Sequence, residues 1–393
     1  MSANPRRPTA GPAVRTPAAR TAGPRLRATR GSLAREHAWV AALILAHVLL
    51  AAWGAVRQSV TFDENFHLPS GILTAARAEF RVSAVNPPLV KALAGAAALA
   101  AGARVPSDAA LGAGEQGEVG IAFMRANADH YQRMFVAGRL VIVLLSALLA
   151  LAVWRWSRRL WGPRGALVAL GFYAFAPEAL AHAGVVTMDL PTALGFVWAL
   201  MSWQAFVTRG RWRAWGASAL AVAFTFLVRF TAVFLPPLLL VLTLAQLASK
   251  RVRAPRRVWL GYALLVPSTL VALQIGYLGH TTFDPLRAWR FDSHLFQTLR
   301  QRLPGLRLPI PDSYVAGFDR QAVESQSGQN PSYLFRTLHR EAPLAYFPVA
   351  LAAKWPLGFL AALAMLLFYA AQRRPRLWRA LWPLALVVLF LWI

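Results

Sequence analysis

Residues 137–154 read AGRLVIVLLSALLALAVW, and Arg155, Arg158, Arg159 and Arg164 follow at once. A helix of that length rises about 27 Å, close to the ~30 Å thickness of a bilayer's hydrocarbon core. The same alternation of apolar run and basic cluster recurs at Arg209/Arg211/Arg213, at Lys250/Arg251/Arg253/Arg256/Arg257 and at Arg373/Arg374/Arg376/Arg379. Over 393 residues, 57% of side chains are hydrophobic and only 15% charged, with Lys+Arg 42 against Asp+Glu 16 and a net charge of +26. A soluble domain carries about a quarter charged residues. This balance excludes a soluble globular enzyme, and it excludes disorder for the chain as a whole. A nucleic-acid binder would spread its basic residues over a polar surface; here they punctuate apolar runs, so no nucleic acid is expected as partner. With no Cys there is no disulfide framework, thiol nucleophile or Cys-ligated metal. The expected fold class is an all-α polytopic membrane protein.

Outward from 137–154, the runs at 38–56, 165–181, 187–207, 214–228, 230–248, 257–278 and 346–371 read as further spans. The first 37 residues, rich in Pro, Ala, Gly and Arg, read as a disordered basic cytoplasmic arm with no cleavable signal peptide. A transmembrane core over 38–278 includes a first outer loop at 57–136, and a second large outer loop occupies 279–345. Terminal spans fill 346–393; the last begins near Leu377 and stops at Ile393, so a truncated final span is expected.

The segment 86–103, NPPLVKALAGAAALAAGA, is apolar enough to cross as well. Keeping it out of the bilayer puts all four internal basic clusters on the side of the basic arm, which then holds 24 basic residues and one acid, Glu36. The positive-inside rule makes that side the cytoplasm and 86–103 a juxtamembrane or re-entrant helix on the outer face. Fifteen of the sixteen acids then lie outside or in the outer half of the membrane. A secondary transporter keeps its ionisable residues near the bilayer midplane. Acids gathered at the outer surface of the inner membrane point to chemistry there.

Four stretches carry side chains suited to that chemistry. Thr61-Phe62-Asp63-Glu64-Asn65-Phe66-His67 pairs two adjacent carboxylates with a His one helical turn beyond Glu64; a solvated acid pair is the ordinary reading. Asn86-Pro87-Pro88 starts the juxtamembrane helix rigidly. His182 to Pro191 puts Asp189 at the outer end of a span, as a helix cap or as a second acid facing the first loop. Arg229 and Lys354 are isolated cations in apolar sequence. Each either snorkels to the interface or binds an anion, and a lipid phosphate is the anion at that depth.

The ordered set TFDENFHLPSG, NPPLVKALAG, YQRMFVAGRL, APEALAHAGVVTMDLPTAL, VRFTAVFLPPLL and LPIPDSYVAGF…YFPVALAAKWPLGFL resembles the bacterial relatives of the protein O-mannosyltransferases and aminoarabinose transferases. These are GT-C glycosyltransferases with a polyprenyl-phosphate-linked sugar as donor. The resemblance covers about Phe62 to Leu360 and departs at Arg229, where the family often has Lys. It implies a GT-C-like transmembrane bundle whose long first outer loop carries juxtamembrane helices. The implied partners are a lipid-linked sugar donor and a protein, lipid or glycan acceptor.

By that resemblance Asp63 is the base, Glu64 orients acceptor or donor, and Asp189 is a second acid. Substrate contacts fall to His67, Asn86, His182, Arg229 and Lys354, with Arg229 and Lys354 on the phosphate. A phosphate departs without being protonated, so one base suffices and inversion at C1 follows. No cofactor is assigned, and a divalent metal between Asp63, Glu64 and His67 is left open. The alternative from another class is a secondary transporter or flippase of envelope lipids, and a third is a non-catalytic envelope scaffold.

Overall fold

The computed structural model describes residues 30–107, 116–326, 332–339, 343 and 345–373. Most of the basic arm and the final apolar run expected from Leu377 lie outside them. The described chain is helical, with one antiparallel pair of three-residue strands, β1 (Ser332–Leu334) and β2 (Thr337–His339). It is an all-α polytopic membrane protein.

The first helix, α1 (Arg30–Arg57), leaves Trp39, Leu45, Leu49 and Trp53 exposed. Large apolar side chains on the face that α1 turns away from α5 suit lipid as solvent rather than water. The rod α5 (Tyr131–Ala174) has 44 residues, about 66 Å at helical rise and twice a bilayer's hydrocarbon core. It is two arms meeting at Gly162, whose φ of 76° favours glycine, and Pro163 opens the second arm. The arms fold back on each other: the Tyr173 hydroxyl donates to the Ser146 carbonyl at 3.0 Å, and Leu170 packs with Ala150. Where the sequence reads one span over 165–181, the second arm ends at Ala174 and a short helix, α6 (Pro177–Ala183), follows.

The hairpin of α7 (Asp189–Arg209) and α8 (Trp212–Phe226) turns on Gly210, in the left-handed region at φ 67°. With α9 (Leu235–Ala248) and α10 (Pro255–Gly276) it encloses a core around Trp203, Phe206, Leu238, Leu239, Val258 and Leu265. Trp203 meets its polar requirement there by donating to Thr243 Oγ1 at 2.9 Å. Residues 346–371, read from sequence as one span, form α13 (Tyr346–Lys354) and α14 (Leu357–Arg373), bent by 111°. Pro356 forces the preceding Trp355 into an extended conformation, φ −73°, ψ 141°, and ends the first helix.

Three helices of the first loop, α2 (Glu64–Arg77), α3 (Leu89–Ala100) and α4 (Gln116–Ala126), pack on the mouth of the bundle. The ambiguous segment 86–103 yields only the 12 residues of α3, about 18 Å and too short to cross. Backbones of α2 and α3 touch: a Cβ on Gly71 would lie 1.9 Å from the Lys91 carbonyl oxygen, and one on Gly95 2.2 Å from the Gly71 carbonyl carbon. Because only backbone stands in the way, neither helix has a side chain to yield. Gly71→Ala is expected to destabilise the folded protein by about 1–3 kcal/mol, as overpacking does. Thermal unfolding in detergent reads this, and an unchanged midpoint would mean the two helices part freely. In the second loop, α11 (His294–Arg302) and α12 (Asp312–Gln326) lie over α8 and α10, with Phe230 stacked on Phe318 at 5.3 Å.

Candidate functional site

Arg139, wholly buried near the start of α5, organises the mouth of the bundle. Its Nε and Nη2 each donate to the Glu64 carboxylate at 2.7 Å, a two-pronged pair with both side chains fully buried. Nη1 also donates to the carbonyls of Ala55 (2.7 Å) and Gln58 (2.8 Å), and Nη2 to that of Ser59 (2.9 Å). These carbonyls end α1 and have no helical donor of their own. Glu64 accepts further bonds from the Val186 N–H at 2.9 Å, the Thr61 N–H at 3.0 Å and the Thr61 hydroxyl at 3.1 Å. Burial alone would raise the pKa of Glu64. The Arg139 fork and the backbone donors outweigh it and hold the carboxyl below its ordinary range. Glu64 therefore joins α1, α2, α5 and the turn before α7. It does not line the cavity, which corrects its expected role in orienting a substrate.

Asp63, one residue earlier, faces the other way. It is exposed, makes no capping bond to α2, and opens on a cavity of about 420 Å³. His67 lies one turn along the same helix, and Asn86 reaches the same cavity from the turn before α3. Thr187 and Asp189 arrive from the start of α7, Arg229 from the break after α8, and Gln321 and Glu324 from α12. With Gln116 from the start of α4, six segments of the chain thus meet at one polar hollow, with Phe62 and Phe66 on its rim.

Asp189 is not the helix cap that its position suggested. Met188 holds that place, and the Asp189 carboxylate forms an ion pair with Arg229 Nη1. Its second oxygen is 3.4 Å from His182 Nδ1, and His182 Nε2 is 3.9 Å from Glu178. His182 thus backs Asp189 and does not itself line the cavity. Arg229 sits in extended backbone, φ −153°, ψ 143°, between α8 and the 3₁₀ turn Phe230–Phe234. That break swings its side chain into the cavity rather than along the membrane. Lys354 is exposed at the end of α13 and is not part of the cavity. The expected joint grip of Arg229 and Lys354 on one phosphate is therefore not assembled.

His67 is buried, and its Nδ1 has no partner. Burial, reinforced by the charges of Lys91 and Arg229, pushes its pKa down to about 3, so the imidazole is neutral. Of Asp63, Glu64 and His67, the Glu64 carboxylate is already engaged by the Arg139 guanidinium. Among the described residues no three His or acid side chains cluster as metal ligands.

Arg139, Thr187, Gln321 and Glu324 were not singled out from sequence. For Arg139 the signal was present, a cation inside the apolar run AGRLVIVLL. For Gln321 and Glu324 no local pattern separates them from other polar residues of a loop helix.

Among known proteins, residues 131–273 match the family model described as dolichyl-phosphate-mannose-protein mannosyltransferase. No curated protein matches the chain. The matched stretch contains Arg139, which anchors the first loop, and the Asp189–Arg229 pair that faces the cavity. Held together with the bundle of apolar helices, the match describes a multi-pass membrane protein that over residues 131–273 is similar to the mannosyltransferases of the GT-C superfamily.

Proposed function

We propose that the chain transfers a sugar from a polyprenyl-phosphate carrier to an acceptor hydroxyl on the outer face of the inner membrane, with inversion at C1. One observation carries the reading: an unencumbered carboxylate, Asp63, and a guanidinium, Arg229, open on the same cavity at the mouth of a membrane bundle. As the acceptor oxygen bonds to C1, its proton passes to Asp63. The C1–O bond to phosphate breaks, and the phosphate departs with its negative charge facing Arg229. Asp189 holds Arg229 in place, and neutral His67 and Asn86 offer hydrogen bonds to sugar hydroxyls. The direct test is incubation of membranes containing the protein with a panel of labelled polyprenyl-phosphate sugars, followed by the anomeric configuration of whatever becomes labelled. No transfer from any of them would remove the proposal.

The sidedness rests on the clustering of basic residues opposite the cavity. A reporter fused within 100–130 or 300–330 is expected to be extracytoplasmic, and one within 250–257 cytoplasmic. A cytoplasmic reporter at 100–130 would place the cavity on the wrong side for an outer-face transferase.

A further inference from the structure

Lys91 is a buried cation that the proposed reaction has not used. Its side chain is 3% exposed, and among the described residues its ammonium has one hydrogen-bond partner, the Ser83 carbonyl at 2.7 Å, and no acid in ion-pair contact. A buried charge without a counter-ion is strongly disfavoured and is kept where something compensates it. Its place in the fold shows where compensation would come from. The Lys91 backbone packs against Gly71, one turn from His67, and the neighbouring Leu89 N–H donates to the Leu227 carbonyl at 3.1 Å, two residues before Arg229. Lys91 therefore stands behind the inner wall of the cavity, between the helix that presents His67 and the break that presents Arg229. Its charge is felt at His67. On the cavity side of it stands His67, a lining residue whose buried Nδ1 has no partner among the described residues. Arg229 is already shared with Asp189. The wall thus has a positive charge without an acidic partner and a His67 nitrogen that no described residue satisfies.

We propose that Lys91 supplies the second positive charge of the phosphate site, acting through the cavity wall as a positioning residue for the anionic donor, in place of Lys354. This rests on the proposed phosphate-linked donor. The bound phosphodiester is the missing counter-ion: it faces Arg229 directly and the Lys91 charge across His67. Burial lowers the Lys91 amine to about 7, so its charge is present below that pH. A bound anion stabilises the protonated form, so donor affinity is full below pH 7 and falls as pH rises through it. The other charged groups around the cavity are His67, already neutral, the mutually paired Glu64 and Arg139, Asp189 with Arg229 and His182, and the carboxylates of Asp63 and Glu324. A purely structural Lys91, tying the 78–88 turn through Ser83, would do so equally well as a neutral amine.

The test is direct binding to the full chain in nanodiscs, with a polyprenyl methyl phosphodiester, whose single charge does not titrate in this range, and the uncharged prenol as reference. The wild type should prefer the phosphodiester, and that affinity should weaken by roughly tenfold between pH 6 and 9. The fall should persist in His182→Gln, which removes the imidazole beside Asp189. Lys91→Met should bind roughly tenfold more weakly at pH 6, with a flat pH profile. A preference that Lys91→Met leaves intact, or a fall that vanishes in His182→Gln, overturns the Lys91 assignment alone. Should Lys91→Met not fold, a flat wild-type profile overturns it equally. If the phosphodiester binds no better than the prenol, the phosphate-linked donor falls, and Lys91 with it.

Discussion

Asp63→Asn is expected to lower turnover by about 10²–10⁴-fold, the usual loss when a general base is removed. Asn keeps the size of the side chain and the cavity's shape but cannot take the acceptor's proton. Stability should hardly change, because Asp63 is exposed and makes no bond to the helix it precedes. Donor KM should also hold, since the proposed phosphate site lies at Arg229 and Lys91 and does not use Asp63. Asp189→Asn makes the contrast: it releases Arg229, so KM and turnover should suffer together. Steady-state kinetics on both variants separates the two acids. Near wild-type turnover in Asp63→Asn would transfer the base role to Asp189.

The largest expected effect on stability is at Arg139. Arg139→Met leaves the Glu64 carboxylate buried without its partner, which costs about 3–5 kcal/mol in comparable broken pairs. The carbonyls of Ala55 and Ser59 lose the Arg139 donor at the same time, and that of Gln58 keeps only Gln132. The first loop should loosen from the bundle, seen as a lower unfolding temperature and proteolysis between 57 and 136. Adding Glu64→Gln to Arg139→Met should recover part of the loss, because the stranded charge is then gone. Equal stability of the single and double variants would mean that the pair is not what anchors the loop.

The helices and the long first loop were legible in the sequence, because apolar runs, prolines and isolated charges are local signals, whereas the grouping of Asp63, Asn86, Asp189 and Arg229 came from the family resemblance. The division of labour between Asp63 and Glu64 was not. Adjacent residues on a helix point about 100° apart, and which one faces the cavity depends on where Arg139 sits 75 positions later. Arg139 and Lys91 obey the rule that drew attention to Arg229: a cation in apolar sequence must have a partner or a purpose. Lys354 satisfies the same rule at the break before Pro356 without reaching the cavity, since similar depth along two helices does not imply the same side of the bundle.

The wall contributed by α12 has a consequence for biogenesis. The cavity begins at Phe62 and includes Glu324, so a nascent chain carries its Asp63 carboxylate for about 260 residues before the last wall is made. At roughly 5–20 residues per second that interval is on the order of 13–50 s. Both partners of the Arg139–Glu64 clasp are synthesised early in it, before α7 to α12 have emerged from the ribosome. Transfer competence then arrives only with the second loop, so a chain stalled anywhere before α12 has its base in place and no closed site to use it in.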